Sequence, residues 1–246
     1  MDDRYATNPI SCAVETFRQH LDFFAEYFDV IQLSELTARL ARGEAIGHSL
    51  VITFDDGYRD NLVFAAPELL RRKLPATFFI TTGFVGSRTV PWWDRGAGIE
   101  SEWMDWDQVR DLVGKGFEIG SHSATHPDFG KITSAEALIE VETAKAELRS
   151  RTGADPIAFA IPFGGRKQLS PENDRVIRLS GHACCLFNVG GLVRPNDDPM
   201  ALDRMPVSPW YDDPYQFGFD LLRYHTDSVA SRAERWRRRI DHAKGR

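Results

Sequence analysis

Residues 51–58 read VITFDDGY, four residues of strand type followed by two adjacent carboxylates and a glycine. An apolar run bounded by turn residues predicts a buried strand. Both carboxylates must leave the core at its end, because an unpaired buried charge is costly. Adjacent strand residues point to opposite faces, so one of Asp55 and Asp56 can hold a cation while the other handles a proton. The same pattern is also typical of a solvated strand end with a glycine turn.

Residues 117–127, FEIGSHSATHP, have a similar design, a short strand followed by polar residues. They include His122 and His126, whose four-residue spacing brings two imidazoles together if the segment makes one helical turn. Imidazole and carboxylate ligands suit zinc and similar divalent ions, and catalytic zinc sites commonly keep three protein ligands and one open position. The two histidines alone are a weak signal, but together with Asp55 and Asp56 they predict a metal centre.

Residues 53–57 and 122–127 resemble the first two motifs of the polysaccharide deacetylase family, also called the NodB-homology domain or carbohydrate esterase family four. The resemblance covers residues 11–207 and includes the strand-like segment at 76–80. It implies an α/β fold, a distorted (β/α) barrel of about seven parallel strands with the active groups at their carboxyl ends. The implied activity is that of a metal-dependent hydrolase that removes the N-acetyl group of an amino sugar in a polysaccharide or glycan precursor. The implied partner is therefore a carbohydrate substrate, and the implied cofactor is a divalent ion, most simply Zn²⁺.

The resemblance also implies a role for each matching residue. Asp56, His122 and His126 would be the metal ligands, and Asp55 would be the base that accepts a proton from the attacking water. The segment PFGGR at residues 162–166 resembles a variant of the third motif, in which the backbone N–H of Phe163 would stabilise the oxyanion.

Three features that are usual in the family are missing from this chain. The arginine beside the base falls on Ala160, and Arg204 or, as a second candidate, Arg166 would have to replace it, although either can equally be an ordinary surface ion pair. The usual general acid is a histidine near the last strand, whose counterpart is absent, and His182 and His225 are the available imidazoles. A first strand with a Tyr-His pair is also not found.

Residues 82–104 form a long segment that carries Trp92, Trp93 and Trp103. Long loops in compact domains are often functional, and aromatic faces suit sugar rings. We therefore predict that Trp92 and Trp93, together with Tyr58, bind the substrate. Packing of the tryptophans onto the barrel is the alternative.

The order of strand and helix patterns predicts parallel β/α units throughout the chain. With 246 residues, 42% of them hydrophobic, the chain fits one barrel domain over residues 1–246. The first helix is predicted from apolar residues at three- and four-residue intervals: Val14, Phe17, Leu21, Phe24 and Phe28.

Other helix starts are indicated by capping residues. Ser34 is expected to cap the second helix, and capping boxes are expected at Asp105 with Gln108 and at Thr133 with Glu136. The helix after Thr133 is expected to bury three apolar residues on one face: Leu138, Val141 and Leu148.

Composition and charge exclude several classes of function. The net charge of −6 argues against general nucleic-acid binding. Two of the three cysteines, Cys184 and Cys185, lie in an apolar run and are expected to be buried small hydrophobes rather than disulfide partners. No signal peptide is visible and no apolar run approaches membrane-spanning length, which predicts no transmembrane segment and a cytoplasmic location. The sequence carries no signal for oligomeric state.

Residues 227–246 are strongly basic and are predicted to form a helical tail. A solvated helix that docks Trp236 on the barrel is favoured over a helix that binds a membrane surface or a partner.

Three other functions stay open from the sequence: an amidohydrolase that cleaves a non-sugar C–N bond such as a cyclic imide or formamide, a non-catalytic carbohydrate-binding relative, and a protein recruited to a membrane or partner by its tail.

Overall fold

The computed structural model of the chain describes residues 12–97, 100, 102–207 and 213–222. Its centre is a parallel six-stranded sheet of order β3-β4-β5-β6-β7-β8, and a separate parallel pair joins β1 to β2. The strands are β1 (Asp29–Val30), β2 (Ser49–Leu50), β3 (Thr53–Phe54), β4 (Thr77–Ile80), β5 (Glu118–Ser121), β6 (Ala158–Ala160), β7 (Cys184–Phe187) and β8 (Leu202–Asp203). The helices are α1 (Val14–Tyr27), α2 (Leu33–Ala41), α3 (Ala66–Arg72), α4 (Trp92–Ala97), α5 (Trp106–Gly114), α6 (Ser134–Thr152), α7 (Pro171–Leu179) and α8 (214–222).

The large sheet curls into a half-barrel with helices around it, which confirms the predicted α/β barrel fold. Within the described part of the chain this sheet has six strands, fewer than the seven expected. The strand predicted at residues 51–54 is shorter than expected, because β3 covers only Thr53–Phe54. The preceding strand β2, at residues 49–50, pairs with β1, whereas β3 pairs with β4. One continuous segment therefore serves two sheets. Since each strand of the large sheet is parallel to its neighbours, all their carboxyl ends lie at the same edge.

The two faces of the sheet pack against different helices, because successive strand residues point to opposite sides. On β4, Phe78 joins the apolar cluster that includes α1, α3 and α5, whereas Phe79 joins the cluster that includes α2. On β7, Cys184 faces the α2 side and Cys185 faces α6 and α7. Both cysteines are buried and free, as predicted.

The amino end of α2 is capped by a side chain from the large sheet. The carboxylate of Glu118, on β5, accepts hydrogen bonds from the backbone N–H of Leu33 at 3.0 Å and of Ser34 at 3.3 Å, and from the hydroxyl of Thr77 at 2.9 Å. The expectation that Ser34 caps this helix is wrong, since the helix begins at Leu33 and Ser34 lies inside its first turn. A carboxylate satisfies N–H groups that a helix start leaves unpaired and interacts favourably with the helix dipole.

The other helix predictions are largely confirmed. Four of the five apolar residues predicted to lie on one face of α1, Val14 to Phe24, are buried, whereas Phe28 directly follows the helix and is partly buried. Both capping boxes are present at the starts of α5 and α6. Leu138 is the exception, with half of its surface exposed. The buried apolar residues of α6 are Ala137, Val141, Ala144 and Leu148, and Leu138 lies about 100° around the helix from Ala137.

The carboxy-terminal part that the structure describes ends with α8. Phe217 of α8 packs against Phe24 of α1, with ring centroids 5.5 Å apart. None of the described helices is long and apolar enough to cross a bilayer. The predicted basic tail, with Trp236, lies outside the described residues.

Candidate metal centre and active site

The carboxyl edge of the sheet brings the two sequence motifs together. Asp55 and Asp56 directly follow β3, and His122 directly follows β5. Backbone hydrogen bonds fix these strand ends: Thr81 N–H donates to Asp56 O, and His122 N–H donates to Ile80 O. Asp56 and His122 are 66 residues apart in sequence. In the sheet, however, only β4 lies between β3 and β5, the strands that they follow.

The three predicted ligands form one compact group. Ligand atoms of Asp56, His122 and His126 all lie within 4.8 Å of one another. Asp56 Oδ1 is 3.3 Å from His122 Nε2 and 3.2 Å from His126 Nε2. Both histidines are buried. The group offers two imidazole nitrogens and one carboxylate oxygen as ligand atoms.

A backbone carbonyl orients His122. Its Nδ1 donates a hydrogen bond to Ala160 O at 2.8 Å, which leaves the Nε2 lone pair facing Asp56. This arrangement, in which the far nitrogen of a ligating histidine is held by an acceptor, is general in metal sites. Ala160 therefore contributes its carbonyl at the position where the family arginine was expected.

The convergence of the two histidines does not come from a helical turn, so that expectation is wrong. Residues 122–126 are irregular, and Ser123 and His126 have left-handed backbone angles, φ 65° and φ 61°. His126 N–H donates to Ser123 Oγ at 2.9 Å. Asp56 is also left-handed, with φ 70°. Such residues cost about 1–3 kcal/mol each and cluster at functional sites.

The residues present fit a divalent cation. Asp56 Oδ1, the oxygen nearest to both Nε2 atoms, is buried and makes no hydrogen bond within the described part of the chain. Burial alone would raise the pKa of Asp56, but the imidazoles of His122 and His126 lower it well below its usual range. Burial lowers the pKa of His122, whereas Asp55 and Asp56 raise it by more. The carboxylates thus create a negative potential at the point where the two Nε2 atoms meet, and two histidines with a carboxylate are a common catalytic zinc set.

Arg204 occupies the position beside Asp55. Its Nη1 and Nη2 donate to the two carboxylate oxygens of Asp55 at 2.8 Å each, and Nη1 also donates to Thr53 Oγ1 at 3.0 Å. Burial alone would raise the pKa of Asp55, but Arg204 and His122 lower it by more, so the pKa lies below its usual value. The carboxylate is therefore ionised at neutral pH. Arg166, the second candidate, instead pairs with Asp203. Thr53, which anchors the guanidinium, was not singled out from the sequence.

Phe163 lies on the loop after β6 with a left-handed backbone, φ 63°. Its ring is 4.6 Å from that of His126, measured between centroids. Its backbone N–H donates no hydrogen bond to any residue in the described ranges. This N–H is therefore unused within the described ranges, on a residue whose ring packs against His126.

The predicted aromatic residues divide between the site and the core. Trp92 is 69% exposed, and the Trp93 ring lies 4.9 Å from that of His126. Trp93 Nε1 donates to the Tyr58 hydroxyl at 3.0 Å, and that hydroxyl donates to Asp94 at 2.8 Å. Burial raises the pKa of Tyr58, which keeps its hydroxyl protonated. Trp103 is buried, so the packing alternative is correct for this tryptophan.

His182, one of the two histidines named as a possible acid, does not lie at the site. His182 precedes β7, at the amino end of the strands, and its Nδ1 is 2.6 Å from Ser180 Oγ. Burial lowers the pKa of His182 to about 3, so it is neutral. His225 lies outside the described residues.

The chain belongs to the polysaccharide deacetylase family, because the model of that family matches residues 42–179, more than half of the chain. Among known proteins it is similar to a chitooligosaccharide deacetylase of Bradyrhizobium sp. (strain ANU 289), with 30% identity over 121 residues. That match covers 47% of this chain and 46% of the relative. The chain spans about half the length of the curated relatives it matches.

Solved structures show the same fold. The Streptococcus pyogenes deacetylase PplD, solved in complex with acetate, superposes with a TM-score of 0.75 at 18% identity, covering 88% of this chain and 91% of that one. IcaB from Ammonifex degensii superposes with a TM-score of 0.69 at 24% identity, covering 86% and 89%. The half-barrel is therefore the fold of known deacetylases.

Proposed function

We propose that this protein is a metal-dependent deacetylase that hydrolyses the N-acetyl group of an amino sugar in a glycan or glycan precursor. The observation that carries the proposal is the convergence of Asp56, His122 and His126 beside an Asp55 that is held by Arg204. Membership of the polysaccharide deacetylase family and similarity to a protein named as a chitooligosaccharide deacetylase support it.

Asp56, His122 and His126 would hold the metal, for which Zn²⁺ is the first choice given two imidazoles and one carboxylate. When bound, a divalent ion supplies Lewis acidity, which polarises a carbonyl and lowers the pKa of water toward ~7. The protein contributes the buried, preformed ligand group, with His122 fixed by Ala160 O.

Asp55 would act as the general base toward the attacking water. A base must be ionised and oriented, and the bidentate contact from Arg204 provides both conditions. Because Arg204 occupies both carboxylate oxygens through one lone pair each, further lone pairs stay available to accept a proton.

The backbone N–H of Phe163 would stabilise negative charge on the substrate carbonyl oxygen. A preorganised N–H donor in a site of low dielectric is a large contributor to acyl-transfer catalysis. The left-handed backbone of Phe163 turns this loop, and no other described residue accepts from its N–H. The replacement of the usual tyrosine by phenylalanine leaves this donor unchanged.

The aromatic residues that lie beside Phe163 and His126 favour a sugar substrate over a small imide. The exposed ring of Trp92 lies 6.4 Å from the ring of Phe163 at an interplanar angle of 29°, and Trp93 lies edge-on to Phe163. Sugar rings present apolar C–H faces that stack on such surfaces. The wall formed by Trp92, Trp93 and Phe163 would hold a glycan beside the proposed metal ligands.

The reaction is tested by measuring acetate release from oligomers of N-acetylglucosamine by the purified, metal-loaded protein. The proposal expects one acetate per glucosamine unit formed. Absence of acetate together with formation of formate or a ring-opened product from formamides or cyclic imides would replace it with the amidohydrolase alternative. Tight oligomer binding with no product would favour the non-catalytic relative.

Replacing Arg204 by Met is expected to lower kcat by about 10- to 100-fold, because the base loses its orientation, and to destabilise the fold by about 2 kcal/mol. Arg204→Lys should lie between, since an ammonium cannot make the bidentate contact. Acetate release and urea unfolding measure the two effects. Arg166→Met, at the same sheet edge, is the control and should leave kcat unchanged; equal kcat for Arg204→Met and wild type would show that Arg204 has no part in the reaction.

Replacing Trp92 by Ala is expected to raise KM for a tetrasaccharide about tenfold with little change in kcat. Loss of ~60 Å² of apolar stacking area corresponds to about 1.5 kcal/mol, and it affects ground and transition states alike. Steady-state kinetics on oligomers measure the effect. Tyr215→Ala removes an equally exposed aromatic ring from α8 and should change nothing, whereas an unchanged KM for Trp92→Ala would remove Trp92 from the substrate site.

A further inference from the structure

We infer that Glu140, on α6, is a positioning residue that sets the affinity of the site for its metal, because it fixes the loop that carries His126. The inference rests on the proposed metal site and goes beyond its ligands. It assigns a role to a helix residue that no sequence motif indicated.

The carboxylate of Glu140 makes three hydrogen bonds to the loop between the two histidines. Its Oε2 accepts from the backbone N–H of Ala124 at 2.9 Å and of Thr125 at 2.7 Å. Its Oε1 accepts from Thr125 Oγ1 at 2.6 Å. Hydrogen bonds to an ionised carboxylate are shorter and stronger than neutral ones, so Glu140 is a firm anchor for this loop.

The loop needs an anchor because it has no regular structure of its own. Ser123 and His126 are both held in left-handed conformations that a free chain rarely adopts. On the opposite side, the carbonyls of the loop are held by backbone donors: Thr82 N–H bonds Ser123 O, and Gly83 N–H bonds Ala124 O. A Cβ on Gly83 would lie 2.7 Å from Ala124 O, so this approach requires glycine. Glu140 completes the clamp on the N–H side.

The helix that carries Glu140 is itself rigidly placed. Ala137, one turn before it, and Val141, the next residue, are fully buried in the core cluster that includes β6 and β7. The capping box at Thr133 fixes the start of the helix. The position of the Glu140 carboxylate, and through it that of the loop, is thus tied to the sheet.

The two histidines therefore depend on different supports. His122 follows β5 directly and is held by Ala160 O, so it stays in place without Glu140. His126 lies after the clamped residues and depends on the conformation of the loop. Loss of the charge on Glu140 should leave two ligands in position and release the third, which predicts weakened rather than abolished metal binding.

The test compares the full chain with its Glu140→Gln variant by titration with Co²⁺, followed by visible absorption, and by competition of Zn²⁺ with a chromogenic chelator. The variant is expected to bind either ion about 10- to 100-fold more weakly, as for other residues that support metal ligands. Its kcat at saturating metal should return to near the wild-type value. Glu142→Gln removes an exposed carboxylate from the same helix and should leave the affinity unchanged.

Equal metal affinities for Glu140→Gln and wild type would overturn the inference while leaving the proposed function intact. A wild-type chain that binds neither ion would overturn both. Should Glu140→Gln fail to fold by circular dichroism, Thr125→Val removes one of the three hydrogen bonds at an exposed position, and a severalfold loss of affinity is then expected. An unchanged affinity in that variant would likewise overturn the inference.

Discussion

Replacing Asp55 by Asn is expected to lower kcat for acetate release by about 10²- to 10⁴-fold while the bound metal is retained. Asparagine is nearly isosteric and its oxygen can still accept from Arg204, but it cannot take up a proton. The proposed ligands Asp56, His122 and His126 are separate side chains, so the metal site should be intact. Acetate release from N-acetylglucosamine oligomers and elemental analysis of the same preparation measure the two quantities.

The matched control is Asp107→Asn, which changes an exposed carboxylate on α5 and should have wild-type kcat and metal content. Undiminished turnover by a fully metal-loaded Asp55→Asn protein would show that Asp55 is not the base. Loss of metal together with activity would instead make Asp55 a ligand.

Removal of the metal is expected to have a comparably large effect, lowering acetate release by at least about a thousandfold. Several kcal/mol of stabilisation in the transition state come from the ion, and each 1.36 kcal/mol corresponds to about tenfold in rate. Dialysis against a chelator followed by addition of Zn²⁺ should abolish and restore turnover. Asp56→Ala and His126→Ala should fail to recover under the same treatment.

The control for these variants is His48→Ala, because His48 is exposed just before β2, at the amino end of the strands. This variant should lose and regain activity as the wild type does. Full activity in a protein shown by elemental analysis to contain no divalent metal would contradict the proposed mechanism.

The grouping of Asp56 with His122 and His126 was predictable because each motif directly follows a short apolar strand. In a parallel sheet the carboxyl ends of the strands meet at one edge, so residues placed just after strands are brought together by the architecture alone. The buried face of α1 and the two capping boxes were predictable for a similar reason, since their signals lie within a few residues of one another.

The conformation of residues 122–126 was not predictable from spacing. Two histidines four residues apart fit a helical turn, but the observed loop uses left-handed residues whose cost is offset by Glu140 and by the backbone of residues 82–83. These partners come from α6 and from the end of β4. The start of α2 was mispredicted for the same reason, since its capping group is Glu118 from β5, which is distant in sequence, and not Ser34.

The three tryptophans of residues 82–104 lie in one segment of the sequence, yet Trp92 is exposed and Trp103 is buried. Trp103 packs against the rings of Tyr58 and Phe84, whereas Trp92 begins α4. Burial of an aromatic ring is determined by what packs against it, which a linear pattern does not contain.

Two adjacent carboxylates after one strand and two histidines after another were enough to identify the fold and the family and to predict that Asp56, His122 and His126 meet, because these features are local and the parallel topology brings the strand ends together. The partner of Asp55 was decided only in the folded chain. Arg204 and Arg166 were both possible in sequence, and Arg204 reaches Asp55 across 149 residues because β8 curls the sheet far enough to bring its end over β3. Long-range contacts of this kind depend on the closure of the whole sheet, and no short segment of the chain encodes them.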